Sequence, residues 1–162
     1  MAELGSVGSE RRWDRSADRT SLPQPHGIAP FEPTYGRLPY GDFLDIRPIR
    51  PHGLAEGARA WVRLVEDAGE TSLQSPHAVA ALFLDALPPG LLGEPVPPTF
   101  LPTIDFSVHF APTTADSPND WHYVTQDTVW ANDKYCVEEA ALYAADGHLI
   151  AQSRQTRRVR WD

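Results

Sequence analysis

With 162 residues, 41% of them hydrophobic, the chain fits one domain of ordinary size with enough apolar material for a core. Its formal charge of −8, from 14 Lys and Arg against 22 Asp and Glu, argues against nucleic acid as the main partner and against a polybasic membrane anchor. A lone cysteine, Cys136, excludes a disulfide within the chain and a thiolate metal site; no apolar run nears the ~20 residues a membrane helix needs, and the first residues lack a signal-peptide core, so a reducing, cytoplasmic setting is expected.

Residues 1–41 read as a flexible segment or linker. Arg11, Arg12, Arg15 and Arg19 stand among Ser, Asp and Gly, and Pro23, Pro25, Pro30, Pro33 and Pro39 interrupt any regular element. Residues 42–162 form the expected domain. A short strand is predicted over 43–47, closed by Pro48 and Pro51, and a longer one over 56–65, where Ala58, Ala60, Val62 and Leu64 alternate with Arg59, Trp61 and Arg63. Ser75 followed by Pro76 is an N-cap with proline in the first helical position, so a helix is predicted over 77–87, ended by Pro88 and Pro89. Its body, AVAALFLDAL at 78–87, is apolar on nearly every face and calls for a sheet to enclose it.

Four more strands are predicted, over about 99–110, 121–131, 135–144 and 148–159. Asp146 and Gly147 supply a tight hairpin turn between the last two, and Asn132 with Asp133 a weaker turn before them. Two strands, one apolar helix and four antiparallel strands give an α+β hot-dog fold, a curved antiparallel sheet of about six strands wrapped around one central helix. Architecture alone assigns no activity.

The run LPTIDFSVHF at 101–110 sets one carboxylate, Asp105, between Ile104 and Phe106. A carboxylate in such a strand costs stability without partners, which makes it a candidate for a task. Thr128 and Gln155, on later strands, are polar groups that donate and accept hydrogen bonds. By pattern alone, Thr128 is a routine β-former and Gln155 an ordinary strand amide. Parity sets a condition on Asp105. It alternates against Ile104, Phe106, Val108 and Phe110, so reaching an enclosed site requires a covering subunit or a bulge.

The run PTIDFSVHF at 102–110, the strand with Trp121 and Thr128, and the hairpin EEAALYAADGHLIAQSRQ at 138–155 together resemble the C-terminal half of acyl-CoA thioesterase II, a family with two hot-dog repeats in one chain. The stretches LDIRPI at 44–49 and AWVRL at 60–64 are similar to that family's entry into its second repeat, and the resemblance covers roughly residues 42–160. It implies hydrolysis of acyl-CoA to CoA and a free acid, as part of fatty acid metabolism, without a cofactor or metal. A water would be held by Asp105 as base and by Thr128 and Gln155 as orienting groups. The start of the buried helix, around Ser75, His77 and Ala78, is the candidate oxyanion site, because a helix N-terminus carries partial positive charge. Arg154, Arg157 and Arg158 are candidates for the phosphates of CoA, with a solvated edge strand as the competing reading for this basic stretch.

No GxSxG, Walker loop or dinucleotide fingerprint is present, and the six histidines lack metal spacing. The chain resembles only a second repeat, and a lone repeat leaves a sheet edge and an apolar face open. A homodimer, or a complex with a partner hot-dog domain, is therefore expected. The alternative to an enzyme is a non-catalytic acyl-CoA-binding or structural hot-dog subunit.

Overall fold

The computed structural model describes residues 22–32, 43–50, 57–65, 75–112, 117 and 119–161. Six strands, β1 (Leu44–Arg50), β2 (Ala58–Leu64), β3 (Thr103–Phe110), β4 (His122–Ala131), β5 (Tyr135–Tyr143) and β6 (Leu149–Arg158), and one helix, α1 (Pro76–Leu84), make up its regular structure. The strands form a single antiparallel sheet in the order β1-β2-β4-β5-β6-β3, with α1 resting on β5 and β6. This is the expected hot-dog arrangement.

Alternation decides which side chains meet the helix. Ala58, Ala60, Val62 and Leu64 of β2, Val124 of β4, Ala140 and Leu142 of β5 and Ala151 of β6 lie on one face with Val79, Ala80, Phe83 and Leu84 of the helix. Phe83 and Leu84 are fully buried, each contributing about 1.5–3 kcal/mol by loss of apolar surface from water. The helix stops three residues before the predicted end. Leu87 precedes Pro88 and is pushed away from helical torsions, and Asp85 becomes the C-cap, with φ −99° and ψ 0°. Nor is the helix wholly enclosed, since Ala78 and Asp85 remain exposed.

β1 continues through Pro48 to Arg50 because it is an edge strand, where a missing N–H breaks no inner ladder; its register shifts between Pro48 and Arg50. Pro51 lies outside the described residues. The β5–β6 hairpin forms as predicted: Gly147 has φ 102°, Ala144 N donates to His148 O at 3.0 Å, and Gly147 N donates to Ala144 O at 3.0 Å. Gly57, with φ 64°, opens β2 where a Cβ would overlap the Asp127 carboxylate and the Gln126 carbonyl.

One part of the linker expectation is overturned. Residues 22–31 lie across the sheet: Leu22 and Ile28 pack with Trp61, Tyr123, Ala141 and Tyr143 on the face opposite the helix, and Phe31 joins the helix-side core. Trp61 Nε1 donates to Pro23 O at 3.0 Å, Arg47 Nη1 to Ile28 O at 2.7 Å, and Phe31 N to Ile46 O at 2.8 Å. The prolines in this stretch accompany a short 3-10 turn, Pro25–Gly27, rather than a free coil. Residues 1–21 and 33–42 lie outside the described residues. Among the described residues, no helix is long and apolar enough to cross a membrane.

Candidate active site

The helix-side face of the sheet becomes polar at one end. Register places Thr128 of β4 opposite Glu138 of β5, and Glu138 opposite Gln155 of β6, so the three side chains stand in one row beneath the helix C-terminus. Glu138 and Gln155 are buried, at 2% and 3% exposure, where an unpaired polar group would be costly. Gln155 Nε2 donates to Asp85 Oδ1 at 2.7 Å. Two residues further along β6, on the same face, Arg157 donates from Nη2 to the same Asp85 oxygen at 3.3 Å, from Nε to Glu138 Oε2 at 2.7 Å, and from Nη1 to Thr103 Oγ1 at 2.9 Å. Glu138 Oε1 accepts from the backbone N–H of Gly90 at 2.8 Å and from Thr128 Oγ1 at 3.4 Å.

Asp85 is therefore the carboxylate that meets Gln155. Its side chain is 51% exposed, with Oδ1 tied inward and Oδ2 without a hydrogen-bond partner among the described residues. A carboxylate at the negative end of a helix is unfavourable by itself, and the Arg157 guanidinium and Gln155 amide offset that cost. Gln155 Oε1 is buried and unpartnered among the described residues, an acceptor directed into the same polar patch.

Asp105 does not join this group. Its Cα partner on β6 is Thr156, whereas Gln155 pairs with Phe106, so Asp105 projects from the opposite face. The register does shift between Thr103 and Asp105, the irregularity that parity demanded, but it turns Ile104 outward to 58% exposure and leaves Asp105 exposed, where it accepts a hydrogen bond from Ser107 Oγ at 3.4 Å. The expected convergence of Asp105 with Thr128 and Gln155 is thus corrected: the latter two share a face, where Thr128 meets the buried Glu138 and Gln155 meets the half-exposed Asp85.

The remaining expected site residues separate. Ser75 caps the far end of α1, about 15 Å along the axis from Asp85 at ~1.5 Å per residue, with no side-chain cap bond. His77 stacks edge-on against Phe110 at 4.5 Å, and Ala78 is exposed beside it. Within one chain these groups do not reach Asp85. Arg154 pairs with Glu139 on the outer face and Arg158 lies over Tyr135, both exposed. Arg157 is buried against Glu138 and Asp85, so the expectation that it meets a phosphate is overturned. β6 is not an edge strand, since β3 pairs outside it; alternation puts Arg157 on the helix side with Gln155 and leaves Arg154 and Arg158 on the outer face.

Asp85 and Glu138 escaped the sequence reading, and Arg157 was expected in a different role. A signal did exist for Asp85, the one charge in the apolar run 78–87. Cys136 is buried two positions before Glu138, and its thiol is pushed up to about 11 by burial and then by the Glu138 charge, with Arg157 opposing. Among the described residues, no three His, Cys, Asp or Glu side chains gather as a metal-binding group.

A family model described as acyl-CoA thioesterase C-terminal domain matches residues 15–159. A conserved hot-dog protein of unknown function from Alicyclobacillus acidocaldarius superposes with TM-score 0.68 at 20% identity over 95% of this chain and 59% of that one. An acyl-CoA thioesterase II from Mycobacterium marinum gives TM-score 0.68 at 14% identity, covering 95% of this chain and 60% of that one. A hypothetical thioesterase solved with coenzyme A from Streptococcus pneumoniae gives TM-score 0.51 at 10% identity, covering 75% of this chain and 88% of that one. The chain thus spans about three fifths of the length of the first two. No curated protein matches the sequence.

Proposed function

The chain belongs to the acyl-CoA thioesterase C-terminal domain family, and from that premise we propose that it hydrolyses acyl-CoA to CoA and a free carboxylic acid, with Asp85 as the general base. The observation that carries this reading is the 2.7 Å bond from Gln155 to Asp85 Oδ1, with Oδ2 of the half-exposed carboxylate left open. In this mechanism Oδ2 takes a proton from water as its oxygen attacks the thioester carbonyl, a contribution of about 10²–10⁴-fold in rate. Collapse of the tetrahedral intermediate breaks the C–S bond, and the proton on Asp85 passes to the departing CoA sulfur. One water is consumed, and the two products are the acid and the thiol.

Gln155 fixes the base through its Nε2 donor. Thr128, two strands away, stands about 10 Å from Gln155 across the sheet, with the buried Glu138 between them. It donates to Glu138 and is too far from Gln155 to share one water with it, so it takes no part in this mechanism. The reaction also needs oxyanion donors near Asp85, and the expected ones, at the start of α1, lie about 15 Å along the axis from it.

That last requirement and the open sheet edge at β3 support assembly with a second hot-dog domain, either another copy or a separate chain. Ile104, Phe100 and Phe110 are exposed on or beside that edge, at 58%, 55% and 41%. Light scattering coupled to size-exclusion chromatography checks this, and a stable monomer at micromolar concentration counts against it. The activity is tested with purified protein and a panel from acetyl-CoA to palmitoyl-CoA, reading thiol release with a trapping dye. CoA release supports the enzyme; saturable binding of the same acyl-CoAs with no release identifies a binding module instead.

A further inference from the structure

We infer that the buried Arg157–Glu138 ion pair is a positioning device that sets the orientation of the Asp85 carboxylate, an inference that rests on the thioesterase reading. The two charges are almost wholly withdrawn from water, with side-chain exposures of 9% and 3%. Replacement of such a pair by apolar side chains is often neutral or stabilising, so fold stability alone is a weak reason for it to be there.

Its connections point to another use. Each donor group of the guanidinium goes to a different element: Nε to Glu138 on β5, Nη1 to Thr103 on β3, and Nη2 to Asp85 at the end of the helix. Glu138 distributes its oxygens in the same way, Oε2 to Arg157 and Oε1 to both the Gly90 N–H and Thr128 Oγ1. The pair is the hub through which the helix end, the loop after it and four strands are connected.

For Asp85 the consequence is rotational. Gln155 and Arg157 both donate to Oδ1, so the carboxylate is pinned by one oxygen and its plane is set from two directions, which presents Oδ2 to the open side. Gln155 alone would leave the carboxylate free to swing about a single hydrogen bond. A lysine could not take over, because one ammonium on a flexible stem does not reproduce a planar fork aimed at three acceptors. Arg157 and Glu138 touch neither water nor substrate in this scheme; they act through Asp85.

The test compares kcat and KM for the best acyl-CoA of the panel in the full-length chain carrying Arg157→Met with Glu138→Leu, and separately in Thr103→Val. The double substitution removes both buried charges together and leaves neither unpaired; Thr103→Val removes only the outer anchor of the guanidinium and lies at an exposed edge. The folded double variant is expected to melt close to the wild type yet lose at least tenfold in kcat, with KM within about twofold, because a displacement near 1 Å can cost about 10²-fold. Thr103→Val is expected to lose severalfold in kcat with KM unchanged. Wild-type kcat in the folded double variant overturns the inference, and if that variant does not fold, wild-type kcat in Thr103→Val does so alone. Undiminished turnover in Asp85→Asn sinks the thioesterase mechanism itself, whereas an inert Asp85→Asn beside a fully active double variant sinks only the positioning role.

Discussion

Gln155 donates from Nε2 to Asp85 Oδ1 at 2.7 Å, joining the penultimate stretch of the chain to the helix 70 residues earlier. A buried amide that spends its donor on a half-exposed carboxylate orients that carboxylate. Gln155→Leu keeps volume and burial while deleting the donor. Its kcat is expected to fall at least tenfold with KM little changed, as an orientation effect requires. The lost charge-assisted bond is expected to lower stability by about 1.5–3 kcal/mol. Steady-state kinetics and thermal melts on one preparation check both.

Cys136 gives a prediction about pH. Its thiol is held up at about 11, mainly by burial. The native state therefore keeps the proton where the unfolded chain, near the ordinary value of 9.0, releases it. Stability contributed by this group is complete below the unfolded value and falls as pH rises from about 9 through about 11. At pH 8 an aromatic disulfide reagent should leave the native protein unmodified and titrate one thiol after denaturation. Rapid native modification would show the site open. The same burial keeps the protein's own thiol from contributing to a CoA-release assay.

At Gly57 the backbone has φ 64°, and a side chain would meet Asp127 and the Gln126 carbonyl. Gly57→Ala is expected to cost about 1–2 kcal/mol from the left-handed backbone alone, with the collision adding to it. A fall of several degrees in melting temperature is the expected result; an unchanged value would mean that the entry to β2 rearranges freely.

Where local chemistry dominates, the sequence was readable. Proline after an N-cap began the helix, the Asp146–Gly147 turn set the last hairpin, and alternation of Ala58, Ala60, Val62 and Leu64 identified the core face of β2. Gln155 and Thr128 were also legible, and they share the helix-side face because each faces Glu138 across one strand pair. The carboxylate was harder. Asp105 sits in a recognisable strand but obeys its own alternation and faces outward, while Asp85 was hidden inside a run that reads as helix core. Only the long-range packing of the helix end over β6 shows which acid has partners.

Arg157 shows the same limit. Four arginines near the end of a chain read as a solvated edge, and that is what Arg154 and Arg158 resemble. Face and sheet order change the outcome for Arg157, because it shares the helix side of β6 with Gln155, and β3, which returns to pair outside β6, brings Thr103 against it. A strand order of this kind depends on contacts between residues about fifty positions apart, such as Thr103 with Arg157, which no local pattern encodes.

The most direct measurement is a side-by-side kcat for Asp85→Asn and Asp105→Asn on the same acyl-CoA, with melting curves to show that both variants are folded. The account predicts a loss of about 10²–10⁴-fold for Asp85→Asn and near wild-type turnover for Asp105→Asn. The reverse pattern, an active Asp85→Asn and an inert Asp105→Asn, would contradict it and return the base to the outer strand.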